Sequence, residues 1–180
     1  MIALIISLSI ITILCAITLA FTLTYNRIQD CIIRINEAEV NIDSILRKRF
    51  DLLNKSINII KETTKTEDEI LDIITKLRTR KLTNFELDRS LYDAINEFNS
   101  YKNKYTELTN CEEYLKIEIN LFESESEIVA LRKYYNDIIT DYNKLIKSFP
   151  SNLIALAKNY STKAYFDGNN LEDEKKMFKL

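Results

Sequence analysis

From Tyr114 to Phe149, large apolar side chains return at alternating spacings of three and four. They are Tyr114, Ile117, Leu121, Ile128, Leu131, Tyr135, Ile138, Tyr142, Leu145 and Phe149, with the small polar Ser124 as the one interruption. A repeat averaging 3.5 residues keeps all of these on one stripe of an α-helix, so this segment must bury a long continuous seam. Two upstream segments carry the same rhythm. One runs through Leu87, Leu91, Ala94, Phe98, Tyr101, Tyr105 and Leu108, with Ile70, Ile73 and Leu77 in phase before it. The other runs through Ile28, Ile32, Ile35, Ile42, Leu46, Leu53 and Ile60. The chain has one Gly and one Pro in 180 residues, which denies a turn-rich β architecture the residues its loops need. The fold class is all-α.

The segments divide at Thr63–Thr66, at Thr109-Asn110 and at Phe149-Pro150. Thr66 with Glu69 and Thr109 with Glu112 have the spacing of capping boxes, and Thr83 with Glu86 forms a third that predicts a break or kink near Leu82. Pro150 ends the last segment because its ring clashes with the preceding turn. Helices of about 40 residues, or roughly 60 Å, joined by short turns pack as antiparallel neighbours. The expectation is an up-down-up bundle of three long helices, closed by a short C-terminal helix, Leu153 to Lys158, capped by Ser151 or Asn152. This places Phe149 to Ala155 at the end of the bundle beside Thr63–Thr66. Gly168-Asn169-Asn170 and the charged tail after it read as disordered.

Ile2 to Leu23 is a run of 22 residues without a charge, roughly 33 Å as a helix and thus about one bilayer core. Thr18-Leu19-Ala20 is a weak cleavage site, but no Lys or Arg precedes the run and it is long for a signal peptide. The reading is a signal anchor that stays attached. The chain then divides into a transmembrane anchor (1–24), a helical bundle (25–167) and a tail (168–180). Arg27 and Arg34 follow the span, with Arg47-Lys48-Arg49 shortly after. The positive-inside rule therefore leans toward a cytoplasmic bundle.

The polar residues along these helices resemble those of the LemA family. The resemblance rests on Arg132, Tyr135-Asn136-Asp137, Tyr142-Asn143 and Phe149-Pro150-Ser151-Asn152-Leu153-Ile154-Ala155. Ser124-Glu125 is similar to that family's Thr-Glu step, Arg49-Phe50-Asp51-Leu52 to its Arg-Tyr-Asp-Leu motif, and Glu67 falls at its His-Glu pair. The chain departs from the pattern where Val40 to Ile45 lacks a tryptophan, at Asn54 for a proline, and at Asn159-Tyr160 for Gly-Phe. Asn best replaces Gly where a left-handed backbone is needed, so the last swap fits a helix C-cap. The resemblance implies a single-pass bacterial membrane protein with a helical bundle and no established catalytic residue. A related branch acts in magnetosome membrane formation, which implies membrane organisation in place of catalysis.

Composition narrows the chemistry. Histidine is absent, which removes the commonest general base and metal ligand. Net charge is −2, so no global field favours nucleic acid. Cys15, Cys31 and Cys111 stand far apart and read as small hydrophobes. The expectation is a non-enzyme with no catalytic residue, no metal, no cofactor and no small-molecule substrate. The leading reading is a membrane-anchored scaffold that contacts the bilayer through Ile2–Leu23 and acts through protein partners or further copies of itself. The second is a regulatory or sensory subunit of a membrane protease or transport complex.

With the first and third helices in parallel register, Glu37, Glu39, Asp43, Glu86, Asp88, Asp93, Glu123, Glu125 and Glu127 form an acidic belt. Arg47, Lys48, Arg49, Arg78, Arg80, Lys81, Arg132 and Lys133 then form a basic belt above it. Candidate interaction residues are Arg47, Lys48, Arg49, Arg132, Lys133, Phe149, Pro150 and Asn152. Glu39 and Arg49 fall on the apolar register of the first helix, so both need buried partners. The expected structural network is Glu125 with Arg89 and Asp137 near Arg49, alongside Glu39.

Overall fold

The computed structural model describes residues 1–66, 69–77 and 82–167. Their elements are α1 (Ile2–Thr64), α2 (Asp72–Leu77), α3 (Asn84–Lys104), α4 (Glu112–Lys147) and α5 (Ser151–Ala157). A 3₁₀ turn at Thr106–Asn110 joins α3 to α4, and the described residues contain no strand. Glu67, Arg78, Arg80, Lys81 and the tail from 168 onward lie outside the described residues. The chain forms two compact units. One contains Met1–Glu37 and Tyr135–Tyr165, the other Ala38–Tyr134 and Phe166.

In the second unit most heptad positions are buried, while Ile73, Leu77, Leu87, Tyr105 and Leu131 are half-buried. Ile42, Leu46, Leu53 and Ile60 of α1, Leu91, Ala94 and Phe98 of α3, and Tyr114, Ile117, Leu121 and Ile128 of α4 form the core. Each such aliphatic side chain contributes roughly 1.5–3 kcal/mol when fully removed from water. Ser124, the interruption in the α4 seam, is fully buried but satisfied, because its hydroxyl donates to the Leu121 carbonyl at 2.7 Å. Phe98 and Tyr114 stack at 4.5 Å, and the Tyr114 hydroxyl donates to the Phe98 carbonyl at 2.7 Å. Burial pushes the Tyr114 hydroxyl well above the ordinary tyrosine range. Burial and the bond to Glu97 push Tyr101 up to about 12.

The direction of the helices departs from the up-down-up expectation. Thr63 lies 3.7 Å from Cys111, Lys48 lies 4.0 Å from Glu127, and Arg49 pairs with Glu125. Residue numbers on α4 rise as those on α1 fall, so α4 runs antiparallel to α1. The cause is a reversal the heptads do not mark. Between α1 and α3 the backbone turns at Lys65 (φ 52°) and Leu71 (φ 50°). Leu71 then donates its N–H to Glu97 (3.2 Å) and to the Tyr101 hydroxyl (3.3 Å), near the far end of α3. The second segment is therefore two pieces, the short α2 and then α3. Thr83 starts α3 with the expected capping box: its hydroxyl accepts from the Glu86 N–H, and its own N–H donates to the Glu86 carboxylate at 2.9 Å. Neither of the other two pairs starts a helix among the described residues, since α2 begins at Asp72 and α4 at Glu112. Thr109 lies inside the 3₁₀ turn.

The first unit begins with the apolar run. Its side chains are exposed along α1, which is long and apolar enough to cross a membrane. Ile28 and Ile35 are buried further along the same helix. The α4 helix ends at Lys147, the Phe149–Pro150 peptide is cis, and α5 starts at Ser151, two residues before the expected Leu153. Pro150 occupies the N-cap position and no side chain caps α5, so neither Ser151 nor Asn152 has the expected capping role. Asn159 takes the left-handed conformation (φ 56°). The Tyr160 N–H reaches the Ala155 carbonyl at 2.9 Å and the Asn159 N–H reaches Leu156 at 3.3 Å. These two bonds make a Schellman C-cap, the role read from the Asn-for-Gly swap.

Candidate functional site

Arg49 sits on the apolar register of α1, where its neighbours along the seam are Leu46 and Leu53. Its side chain is 1% exposed, so a permanent charge lies inside the second unit and needs matched partners. Asp88 of α3 and Glu125 of α4 supply them. One guanidinium nitrogen of Arg49 stands 3.4 Å from Asp88 Oδ1, and the other bonds to Glu125 Oε2. Arg132, two turns farther along α4, contacts the second oxygen of each carboxylate, Asp88 Oδ2 at 3.1 Å and Glu125 Oε1 at 3.7 Å. The four side chains close a ring in which charges alternate and the formal sum is zero. Burial pushes the Asp88 carboxyl above its ordinary range, with Arg132 and then Arg49 pulling it down and Glu125 pushing it up. The Nε atoms of both arginines are buried without a hydrogen-bond partner. An aromatic lid adjoins the ring: the Arg132 guanidinium lies 5.9 Å from the Phe166 ring centre, and Phe85 meets Phe166 edge-on at 6.0 Å.

This arrangement joins α1, α3 and α4 at one level. Both carboxylates are occupied by the guanidiniums, and the ring ties the three helices together. It replaces the separate acidic and basic belts. Those belts assumed parallel first and third helices; with α4 reversed, Arg49, Asp88, Glu125 and Arg132 interleave. The expected Glu125–Arg89 pairing is overturned for the same reason, and Arg89 is exposed. Glu39 is exposed because Ala38, one residue earlier, takes the buried position. Asp137 is exposed and is not a partner of Arg49. Arg47 is exposed and bonds to Asp43 at 2.7 Å, while Lys133, Glu123 and Asp93 are exposed. Asp88 is the residue that sequence reasoning placed on the surface. Its signal was its spacing, three residues before the buried Leu91.

The first unit contains a second polar construction, on the Tyr142-Asn143 pair. Asn143 is 1% exposed and its side-chain amide makes two bonds to the Lys163 backbone, donating to its carbonyl at 2.8 Å and accepting from its N–H at 2.9 Å. The Tyr142 hydroxyl donates to the Ser161 carbonyl at 3.1 Å, Thr140 and Tyr165 hydroxyls meet at 3.1 Å, and Gln29 donates to the Tyr160 hydroxyl at 2.6 Å. Residues 160–165 are thereby strapped along α4. Asn143→Leu removes both amide bonds, each worth about 0.5–1.5 kcal/mol. The Lys163 amide is expected to exchange with deuterium about ten- to a hundredfold faster, in line with 1.4 kcal/mol per factor of ten. Unchanged exchange there would show that the strap is held by other contacts.

Phe149, Pro150 and Asn152 are exposed in this same unit. Phe149 to Ala155 and Thr63–Thr66, expected side by side, fall in different units. Thr63 faces Cys111 in the second unit, whereas Phe149–Ala155 belongs to the unit built on Met1–Glu37.

A family model described as the LemA family matches residues 38–179, which take in all four members of the ionic ring and the strap. The chain is also similar to Protein LemA of Metamycoplasma hominis, at 29% identity over 155 residues, covering 82% of this chain and 67% of that protein.

Proposed function

The chain belongs to the LemA family, and on that premise we propose that it is a membrane-anchored scaffold whose helical bundle acts through protein–protein contacts. The observation that carries this reading is a second apolar stripe on α4. Ile119, Phe122 and Val129 are 57%, 76% and 53% exposed, on a face turned away from Leu121, Ser124 and Ile128. With Ser126 between them their spacings are three, four and three, which is the seam a further helix would use. The uncharged run at the start of α1 serves as the anchor, and the bundle faces the cytoplasm, on the side where Arg27 and Arg34 follow the span.

Crosslinking the full chain in its native membrane, followed by pull-down, tests the scaffold. The wild type is expected to yield discrete crosslinked species that an Ile119→Asp/Phe122→Asp variant loses while remaining helical. Species made only of this chain indicate self-assembly, and species containing a protease or transporter favour a regulatory subunit. Identical crosslinks from the variant would remove the stripe from the proposal. Orientation has its own check. A membrane-impermeant maleimide is expected to leave a Glu113→Cys variant unlabelled in intact cells and to label it after lysis, and labelling in intact cells would reverse the assignment.

A further inference from the structure

Within the first unit, the end of α4 lies against the start of the soluble part of α1. Gln29 donates to the Tyr160 hydroxyl at 2.6 Å. Cys31 is close enough to α4 for the Asp141 charge to help push its thiol up and for Cys31 to help push the Tyr142 hydroxyl up. From Asp141, α4 continues six residues to Lys147, roughly 9 Å of helix. The same distance back along α1 from Cys31 reaches Tyr25. Thr24 and Tyr25 are the first half-buried residues after the exposed run, so something covers α1 at that level. The corner after α4 and the short α5 are therefore level with the end of the uncharged segment Ile2–Leu23.

That corner is apolar on its open side. Phe149 is 81% exposed, Leu153 58% and Leu156 78%, while Ile154 and Ala155 on the other side of α5 are buried. Lys144, Lys147, Lys158 and Arg27 are exposed in the same unit. Asp30, the nearby carboxylate on α1, is 4.0 Å from Arg34. Large apolar side chains flanked by lysines, at the level where a spanning helix leaves the bilayer, have the chemistry of an interfacial contact.

We propose that Phe149, Leu153 and Leu156 insert into the headgroup region of the bilayer spanned by α1, with the surrounding lysines facing anionic lipid. The inference rests on the reading of Ile2–Leu23 as a span, and the test separates the two. The chain has no tryptophan, so single tryptophans report position directly. The full chain is reconstituted into vesicles of phosphatidylcholine and phosphatidylglycerol brominated at two depths, on the acyl chain close to the headgroup and near its terminal methyl, so that both the interface and the bilayer centre are reported. Three variants are compared: Phe149→Trp at the corner, Leu14→Trp in the apolar run and Phe122→Trp on α4. All three replace exposed side chains, so folding is preserved.

Emission from F149W and L14W is expected to be quenched by about half or more, the order appropriate to a ring a few ångströms from the bromines. F122W is expected to stay bright. Quenching of L14W without quenching of F149W would overturn the interfacial contact and leave the span intact. Absence of quenching at L14W would overturn the span itself, and the inference with it. Equal quenching of F122W and F149W would also overturn the proposal, because the contact would not be specific to the corner.

Discussion

Arg49→Met is expected to destabilise the full chain by about 3–5 kcal/mol, the usual cost of removing one partner from a buried ion pair. The loss arises mainly from what stays behind. Asp88 is 5% exposed and Glu125 is only half-buried, so both carboxylates would remain with Arg132 as their single counter-ion. Burial already pushes the Asp88 carboxyl upward, and removal of a guanidinium 3.4 Å away pushes it further. Urea unfolding in detergent, followed by helical circular dichroism, measures the change. A variant within about 1 kcal/mol of the wild type, the range of an exposed pair, would show that the ring is not buried in solution. The fourfold variant Arg49→Met, Asp88→Leu, Glu125→Leu, Arg132→Met distinguishes two roles. Apolar residues of similar volume often match or exceed a buried ionic network by about 1–4 kcal/mol. Recovery of stability together with altered crosslinks would assign the ring to register, whereas failure to recover would assign it to stability.

The second large effect concerns the anchor. Ile10→Arg with Leu14→Arg places two charges near the middle of the apolar run, each costing about 2.5–3.5 kcal/mol on insertion scales. The double variant is expected to leave the alkaline-carbonate-resistant membrane fraction, in which the wild type is retained. Residual salt-sensitive membrane association would be consistent with the corner at Phe149 binding from the outside. Retention of the double variant in the carbonate pellet would contradict the anchor.

Much of the fold is legible in the sequence because helical phase is a local property. Spacings of three and four placed Leu91, Phe98, Tyr114, Leu121 and Ile138 in the core without knowledge of what they touch, and all five are buried. Thr83 with Glu86 likewise specified a helix start that depends on four residues only. Direction was not legible. It is decided between Lys65 and Thr83, where two left-handed positions are occupied by lysine and leucine and neither Gly nor Pro marks the turn. Which face of a helix is buried does not depend on its direction, whereas the identity of its partners does. Arg49 is legible as a charge on an apolar face, but its partners depend on the direction in which α3 and α4 run. Glu39 failed for a smaller reason: one residue on a helix is about 100°, so Ala38 and Glu39 differ by more than a quarter turn. Asn143 stands out only as part of the Tyr142-Asn143 pair; its structural role is not legible because its partner is backbone, and backbone has no sequence signature.

That last point bears on how the strap can diverge. The Asn143 amide reads only the N–H and C=O of Lys163, groups that every amino acid except proline presents. Position 163 is thus free to drift through nineteen residue types, whereas position 143 requires a short side chain carrying donor and acceptor together. Where the main chain is held the informational burden falls on the holder, whereas Tyr160 and Tyr165, which enter the strap through their own hydroxyls, carry a burden of their own.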